Sequence, residues 1–134
     1  MMKGTTDNMI EVVTSNEEYL DDIYEIEKLY VSIPWSKEDL RKDAVENKLA
    51  IYIVALYDGK GSGYAGMWHV VTEGHITNIA VTPECRGIGI GQKMMDRIEE
   101  IAKEKSMIGI TLEVRMNNTP AQRLYTKNGF IVEG

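Results

Sequence analysis

The stretch Ile76-Thr-Asn-Ile-Ala-Val-Thr-Pro-Glu-Cys-Arg-Gly-Ile-Gly-Ile-Gly91, continuing as Gln92-Lys-Met-Met-Asp-Arg-Ile98, constrains the fold more than any other. It reads as strand, glycine-rich turn and helix. Ile76, Ile79 and Val81 suit a buried strand, and Pro83 ends it. Gly87, Gly89 and Gly91 then alternate with apolar residues, so backbone N–H groups can turn outward with no Cβ in the way. The helix start adds further N–H groups and the positive end of a dipole. Together these make an anion site, most simply a phosphate cradle. It is not a P-loop, because Gln92-Lys93-Met94 stands where Lys-Ser/Thr is needed. It is not the dinucleotide fingerprint either, because the spacing is G-x-G-x-G and no acidic residue clearly closes a second strand further on.

The flanking elements follow from periodicity and punctuation. Residues 1–8 are polar and read as frayed. Ile10 to Thr14 is a strand, and Ser15-Asn-Glu-Glu18 is a capping box with Ser15 as N-cap. The helix it opens carries Tyr19, Leu20, Ile23, Ile26, Glu27 and Tyr30 at spacings near 3.6. Pro34 breaks it, and Ser36-Lys-Glu-Asp39 starts another helix running to about Lys48. Leu49 to Tyr57 is a strand, Asp58-Gly-Lys-Gly61 a hairpin turn, Gly63 to Val71 the return strand, and Thr72-Glu-Gly74 a second turn. After the glycine turn, a helix over about Gly89 to Ser106 has Met94, Met95, Ile98, Ile101 and Ala102 on one stripe. Met107 to Val114 is a strand, which should lie parallel to the strand at 76–82 through a right-handed crossover. Asn118-Thr-Pro120 caps a last helix that stops at Gly129, and Phe130 begins one more strand. The reading is one α+β domain over 1–134: a mixed, largely antiparallel sheet with helices on both faces.

Arg86-x-x-Gly89-x-Gly91 resembles the R/Q-x-x-G-x-G/A signature of the GNAT superfamily of N-acetyltransferases, and the order β-α-α-β-β-β-loop-α-β-α-β is that of its fold. Leu112-Glu-Val-Arg-Met-Asn-Asn118 and Ala121-Gln-Arg-Leu-Tyr-Thr-Lys-Asn-Gly-Phe130 resemble its next strand and helix. Pro34-Trp-Ser36 resembles a string common in the branch that acetylates protein N-termini, typified by the ribosomal-protein-alanine acetyltransferases. The resemblance covers roughly Ile10 to Phe130. It implies that the turn Arg86, Gly87, Ile88, Gly89, Ile90, Gly91, Gln92 holds the pyrophosphate of acetyl-CoA, and that the backbone of Ile79, Ala80 and Val81 pairs with the pantetheine arm. Asn118 would meet the same arm while also serving as an N-cap. Tyr125 matches the general acid and Glu113 the proposed base. That chemistry suits the residue types, since the amine must lose a proton to attack and the departing thiolate must gain one. The alternatives are a tyrosine that only packs, a strand glutamate that faces solvent or pairs with Arg115, and a solvated Arg86. Family members usually run further past the Gly-Phe string, adding a strand beside 107–114. The resemblance therefore leads to the expectation that the last strand or strands of the fold are missing here. The expectation is that residues 130–133 cover that edge, or that two chains form a homodimer through it.

A net charge of −6 argues against a nucleic-acid partner held by phosphates. The single Cys85, the absence of a signal-peptide h-region and the absence of a long apolar run make a cytoplasmic protein with no membrane partner the expectation. His69, His75 and Cys85 lack metal-ligand spacing, so no metal is expected. The functional expectation is direct acetyl transfer from acetyl-CoA to a primary amine, foremost the N-terminal amine of a protein. The alternatives are a small-molecule amine, or an acetyl-CoA-binding module with little catalysis.

Overall fold

Ala50-Ile-Tyr-Ile-Val-Ala-Leu-Tyr57 offers apolar side chains to both faces of a strand, so the sheet containing it must be covered on both sides. In the computed structural model, which describes residues 10–15, 17–30, 36–112 and 119–131, this stretch is β2 (Ala50–Tyr57). The sheet runs β1-β2-β3-β4-β5, with β1 (Ile10–Ser15), β3 (Lys60–Val70), β4 (Glu73–Val81) and β5 (Gly109–Leu112) as the other strands. Neighbours from β1 to β4 are antiparallel, and β5 joins β4 in parallel. The α+β expectation with a mixed, mostly antiparallel sheet is therefore met. The parallel pair is joined through α3 (Ile90–Glu104), the crossover that the strand–helix–strand order demands.

Alternation along β2 divides the core in two. Ile53 and Ala55 join Ala65, Met67, Ile90, Met94, Met95, Ile98 and Ile101 on one face, where α3 and α4 (Thr119–Lys127) lie. Tyr52, Val54 and Leu56 join Tyr64, Leu20, Ile23, Ile26 and Leu40 on the other, under α1 (Leu20–Tyr30) and α2 (Lys37–Arg41). The α3 stripe read from the sequence is buried at every position named. Fully burying one such side chain contributes about 1.5–3 kcal/mol. Tyr52 and Tyr64 stack with ring centroids 6.4 Å apart. Glycine at 66 permits this, because a Cβ there would lie 3.0 Å from Tyr52 Cζ.

Ser36 caps α2 by accepting the Asp39 N–H at 3.1 Å. The helix then loosens into a π-helical turn, Lys42–Glu46, that carries Asp43 inward. The Asp43 carboxylate accepts from Tyr52 O–H at 2.5 Å, Trp68 Nε1 at 3.1 Å and Asn47 Nδ2 at 2.9 Å. A buried charge tolerates desolvation only with such partners.

Four local expectations are corrected. Ser15 is the last residue of β1, opposite Tyr52, and α1 opens at Leu20; the sheet ladder takes the residue that looked like a cap. The π turn replaces the later part of an α-helix expected to reach Lys48. The β3–β4 turn is Val71-Thr72, since Glu73 and Gly74 already pair with Val70 and His69. Phe130 and Ile131 form no strand. Instead the Phe130 N–H bonds Tyr125 O at 3.0 Å and its ring meets the Tyr125 ring edge-on. Among the described residues, no strand lies beyond β5.

The β3–β4 turn holds a testable strain. Val71 sits at φ 56° with 87% of its surface exposed, a conformation that opposes a β-branched side chain. Val71→Asn should raise stability by about 1 kcal/mol, read as a higher urea midpoint with an unchanged slope.

Candidate active site

The geometry of the site starts from one extra residue in β4. Gly66 pairs with Asn78 and the next residue, Met67, with Ile76, so Thr77 is a bulge. A bulge resets the alternation of the strand beyond it. Ile76, Ile79 and Val81 consequently share the α3 face, while Ala80 faces α1. Along its other edge, β4 is paired with β5 over Glu73–Ile76. The segment expected to meet the pantetheine arm, Ile79 to Val81, lies beyond that pairing and is held from the β3 side. The Ile79 N–H is engaged by Asn78 Oδ1 at 2.9 Å.

Past β4, Pro83–Cys85 form a 3-10 turn and the glycine turn follows. Gly87 and Gly89 have φ of 84° and 92°, and a Cβ built on either would meet nothing within 4 Å. The cradle is open, and its shape requires the left-handed backbone that glycine adopts freely. Gly89 caps α3, and the first backward bond of the helix is from Lys93 N–H to Gly89 O. The N–H groups of Ile90, Gly91 and Gln92 precede it, as at any helix start. Charge placement is also distinctive. The first turns of α1 and α2 carry Asp21, Asp22, Glu38 and Asp39, whereas that of α3 has no acidic residue. Its positive end therefore has no carboxylate of its own first turn to complement it. These observations fit a pyrophosphate group. Arg86 is exposed beside the turn, its Nε 3.4 Å from Val81 O. Ile88 is exposed, while the Ile90 side chain is buried in the core, so Ile90 and the glycines can offer only backbone.

The candidate acid, Tyr125, lies buried on α4 in the same core as Ile79, Val81 and Ile90. Burial alone pushes its phenol up to about 12, so it keeps its proton at neutral pH. The start of α3 holds α4 in place. A Cβ at Gly91 would come within 3.1 Å of Leu124 Cδ2. One turn on, Gln92 and Asn128 exchange amide hydrogen bonds, Nε2 to Oδ1 at 2.8 Å and Nδ2 to Oε1 at 3.0 Å. Gln92 Nε2 also donates to Asp96 Oδ1 at 2.9 Å. The Gln92 side chain expected at the cofactor is thus committed to helix packing, leaving its backbone N–H for the cradle. Glu113 and Asn118 lie outside the described residues.

Sequence reasoning missed the Gln92–Asn128 pair and a second buried network. On the α1 face, Asn78 Nδ2 donates to Tyr64 Oη at 2.6 Å, and Tyr64 O–H donates to Glu27 Oε1 at 3.1 Å. The signal for the latter was present: Glu27 falls on the apolar stripe of α1, where a charge is out of place.

Residues 20–130 match the acetyltransferase (GNAT) family. The chain belongs to that family. A Bacillus subtilis protein assigned as a [ribosomal protein bS18]-alanine N-acetyltransferase is 42% identical over 84% of this chain and 74% of its own. Among solved structures, the Escherichia coli ribosomal-protein-S18-alanine N-acetyltransferase superposes with a TM-score of 0.85 at 24% identity, covering 94% of this chain and 80% of that one. The PaiA N-acetyltransferase of Thermoplasma acidophilum, solved with coenzyme A, superposes with 0.81 at 24% identity, covering 92% and 91%. The activity is acetyl transfer to an amine, and the family draws the acetyl group from acetyl-CoA.

Asn128→Ala removes both cross-helix amide bonds and leaves the Gln92 amide with a lost partner. Stability should fall by about 1–3 kcal/mol, measured as a lower urea midpoint.

Proposed function

We propose that this chain transfers acetyl from acetyl-CoA to the N-terminal amine of a protein, directly and without an acyl-enzyme. The observation that carries the substrate class is the 42% identity with a relative named for acetylating an alanine of a ribosomal protein. The open glycine turn at an acid-free helix start supports acetyl-CoA as donor.

In this reading the backbone N–H groups from Gly87 to Gln92 hold the pyrophosphate, with Arg86 beside them, and Asn118 and the Ile79–Val81 backbone hold the arm. Bound acetyl-CoA supplies a thioester carbonyl carbon open to attack. Glu113 takes a proton from the substrate ammonium, freeing the nitrogen lone pair. That pair forms the C–N bond as the C–S bond breaks, and its electrons leave on sulfur. Tyr125 gives its proton to that sulfur. The attacking nitrogen, which still carries two protons, releases one to solvent as the amide forms. The products are an amide and a thiol, and the proton held by Glu113 later restores the phenol through solvent. The raised phenol value suits an acid that must stay protonated while a neutral amine is available.

Steady-state thiol release with a peptide panel tests the substrate. Peptides with a free N-terminal alanine should turn over, and the same peptides with a blocked N-terminus should not. Faster turnover of a blocked lysine peptide or of a small polyamine would overturn the assignment.

Two substitutions test the roles. Gly89→Glu puts bulk and negative charge into the cradle. It should weaken acetyl-CoA binding by about tenfold or more, since a change of about 1.4 kcal/mol is tenfold, as read by calorimetric titration of folded protein. Unchanged affinity would remove the turn from the cofactor site. Tyr125→Phe should lower kcat by about 100-fold or more with little change in acetyl-CoA affinity. In the wild type, the alkaline loss of rate due to this phenol should appear only as pH approaches about 12. The linkage has the same sign. The phenol is held neutral in the folded chain, so its contribution to stability is full below the ordinary tyrosine value of 10.0 and is lost as pH rises toward about 12.

A further inference from the structure

Glu27 is a buried carboxylate, 5% exposed, that the acetyl-transfer scheme does not use. It sits on α1 facing the sheet and accepts from Tyr64, itself 1% exposed. Tyr64 is the centre of a directed chain. The Ile79 N–H donates to Asn78 Oδ1 at 2.9 Å, Asn78 Nδ2 donates to Tyr64 Oη at 2.6 Å, and Tyr64 O–H donates to Glu27 Oε1 at 3.1 Å. Every proton points toward the carboxylate. The single phenolic proton of Tyr64 goes to Glu27 Oε1. Tyr64 Oη then offers only lone pairs to Asn78, which must present its NH2. The other end of the Asn78 amide is thereby left as an acceptor for the Ile79 N–H. A flipped Asn78 would set its NH2 against that N–H, two donors face to face.

Two features separate this chain from ordinary core polarity. The Thr77 bulge puts Asn78 on the α1 face, where it reaches Tyr64. The neighbouring Tyr52, stacked on Tyr64, is also bonded to a buried carboxylate, Asp43, but that group gathers Tyr52, Trp68 and Asn47 and takes no amide of β4. Of these two networks, the Glu27 chain is the one that ends on the backbone of β4, at Ile79. Chains of this kind polarise along their length, so each bond strengthens the next.

We propose that Glu27, Tyr64 and Asn78 are positioning residues for acetyl transfer: the α1 carboxylate, acting through Tyr64 and Asn78, sets the Ile79 amide at the strand that receives the acetyl-CoA arm. This rests on the acetyl-CoA reading above. None of the three touches the reacting atoms in this assignment. They act by fixing the backbone that does the holding.

The test measures kcat and KM for acetyl-CoA and for a free-amine peptide, with acetyl-CoA affinity by titration, in wild type, Tyr64→Phe, Asn78→Ala, Glu27→Ala, Glu27→Gln and Tyr52→Phe. Tyr64→Phe keeps the stacked ring and removes only the link. It should lower kcat/KM for acetyl-CoA by about ten- to a hundredfold, the scale of a small misplacement, with peptide KM near the wild-type value. Asn78→Ala and Glu27→Ala should do likewise. Glu27→Gln, whose Oε1 can still accept, should recover most of the loss. Tyr52→Phe, which severs the Asp43 phenol instead, should stay near wild type. The Tyr64→Phe/Asn78→Ala double variant should fall no further than the worse single one, because both cut one chain. The proposal is overturned if Tyr64→Phe matches Tyr52→Phe, or if the double variant shows additive losses. Tyr64→Phe decides the matter if Glu27→Ala does not fold. A wild type that neither binds nor consumes acetyl-CoA would overturn the underlying reading instead, while an active wild type with indifferent variants would overturn only the positioning chain.

Discussion

Everything in this protein depends on a central hairpin that is buried on both faces. β2 is apolar at nearly every position, and β3 returns beside it with buried residues from Ser62 to Met67. Such a sheet is stable only between two layers of helix. That requirement assigns α3 and α4 to one side and α1 and α2 to the other. The candidate site then falls at the edge of β4, between the hairpin and the parallel strand β5.

The bulge at Thr77 shapes the part of this scaffold where the candidate site lies. Without it, Ile76 and Asn78 would share a face, and the strand would continue as a plain ladder. With it, Ile79 and Val81 point toward α3 and Tyr125, while Asn78 and Ala80 point toward α1. One inserted residue thus gives β4 an apolar side shared with the candidate acid and a polar side wired to Glu27. Bulges commonly re-aim side chains in this way next to functional sites.

Electrostatics are arranged by omission as much as by placement. An acidic chain spends carboxylates on the first turns of α1 and α2, where they complement the helix dipole. The start of α3 has none, and its cap is a glycine with no side chain to accept the free N–H groups. In water such an end is satisfied by solvent. A phosphate offers more charge at the same place and needs no rearrangement of the turn, because the backbone is already left-handed at Gly87 and Gly89.

The sequence by itself determined the element order, the buried stripe of α3, the crossover to a parallel β5 and the glycine turn. These are local or periodic properties: a 3.6-residue repeat, a run of β-branched residues, glycines spaced for a left-handed turn. It also supplied the resemblance that names Tyr125 and Glu113. It misplaced Ser15, because a serine followed by Glu18 caps a helix only if the sheet does not claim it first, and β1 does. It could not locate the Thr77 bulge, since an extra residue in a strand shows only against its partner. It assigned Gln92 to the cofactor, but its side chain bonds Asn128, 36 residues away. It saw Glu27 only as a charge on an apolar stripe, because Tyr64 and Asn78 are brought to it by the packing of α1 on the sheet. Tertiary structure decided these last points for one physical reason: a buried polar group must find its partner wherever the chain brings one within about 3 Å.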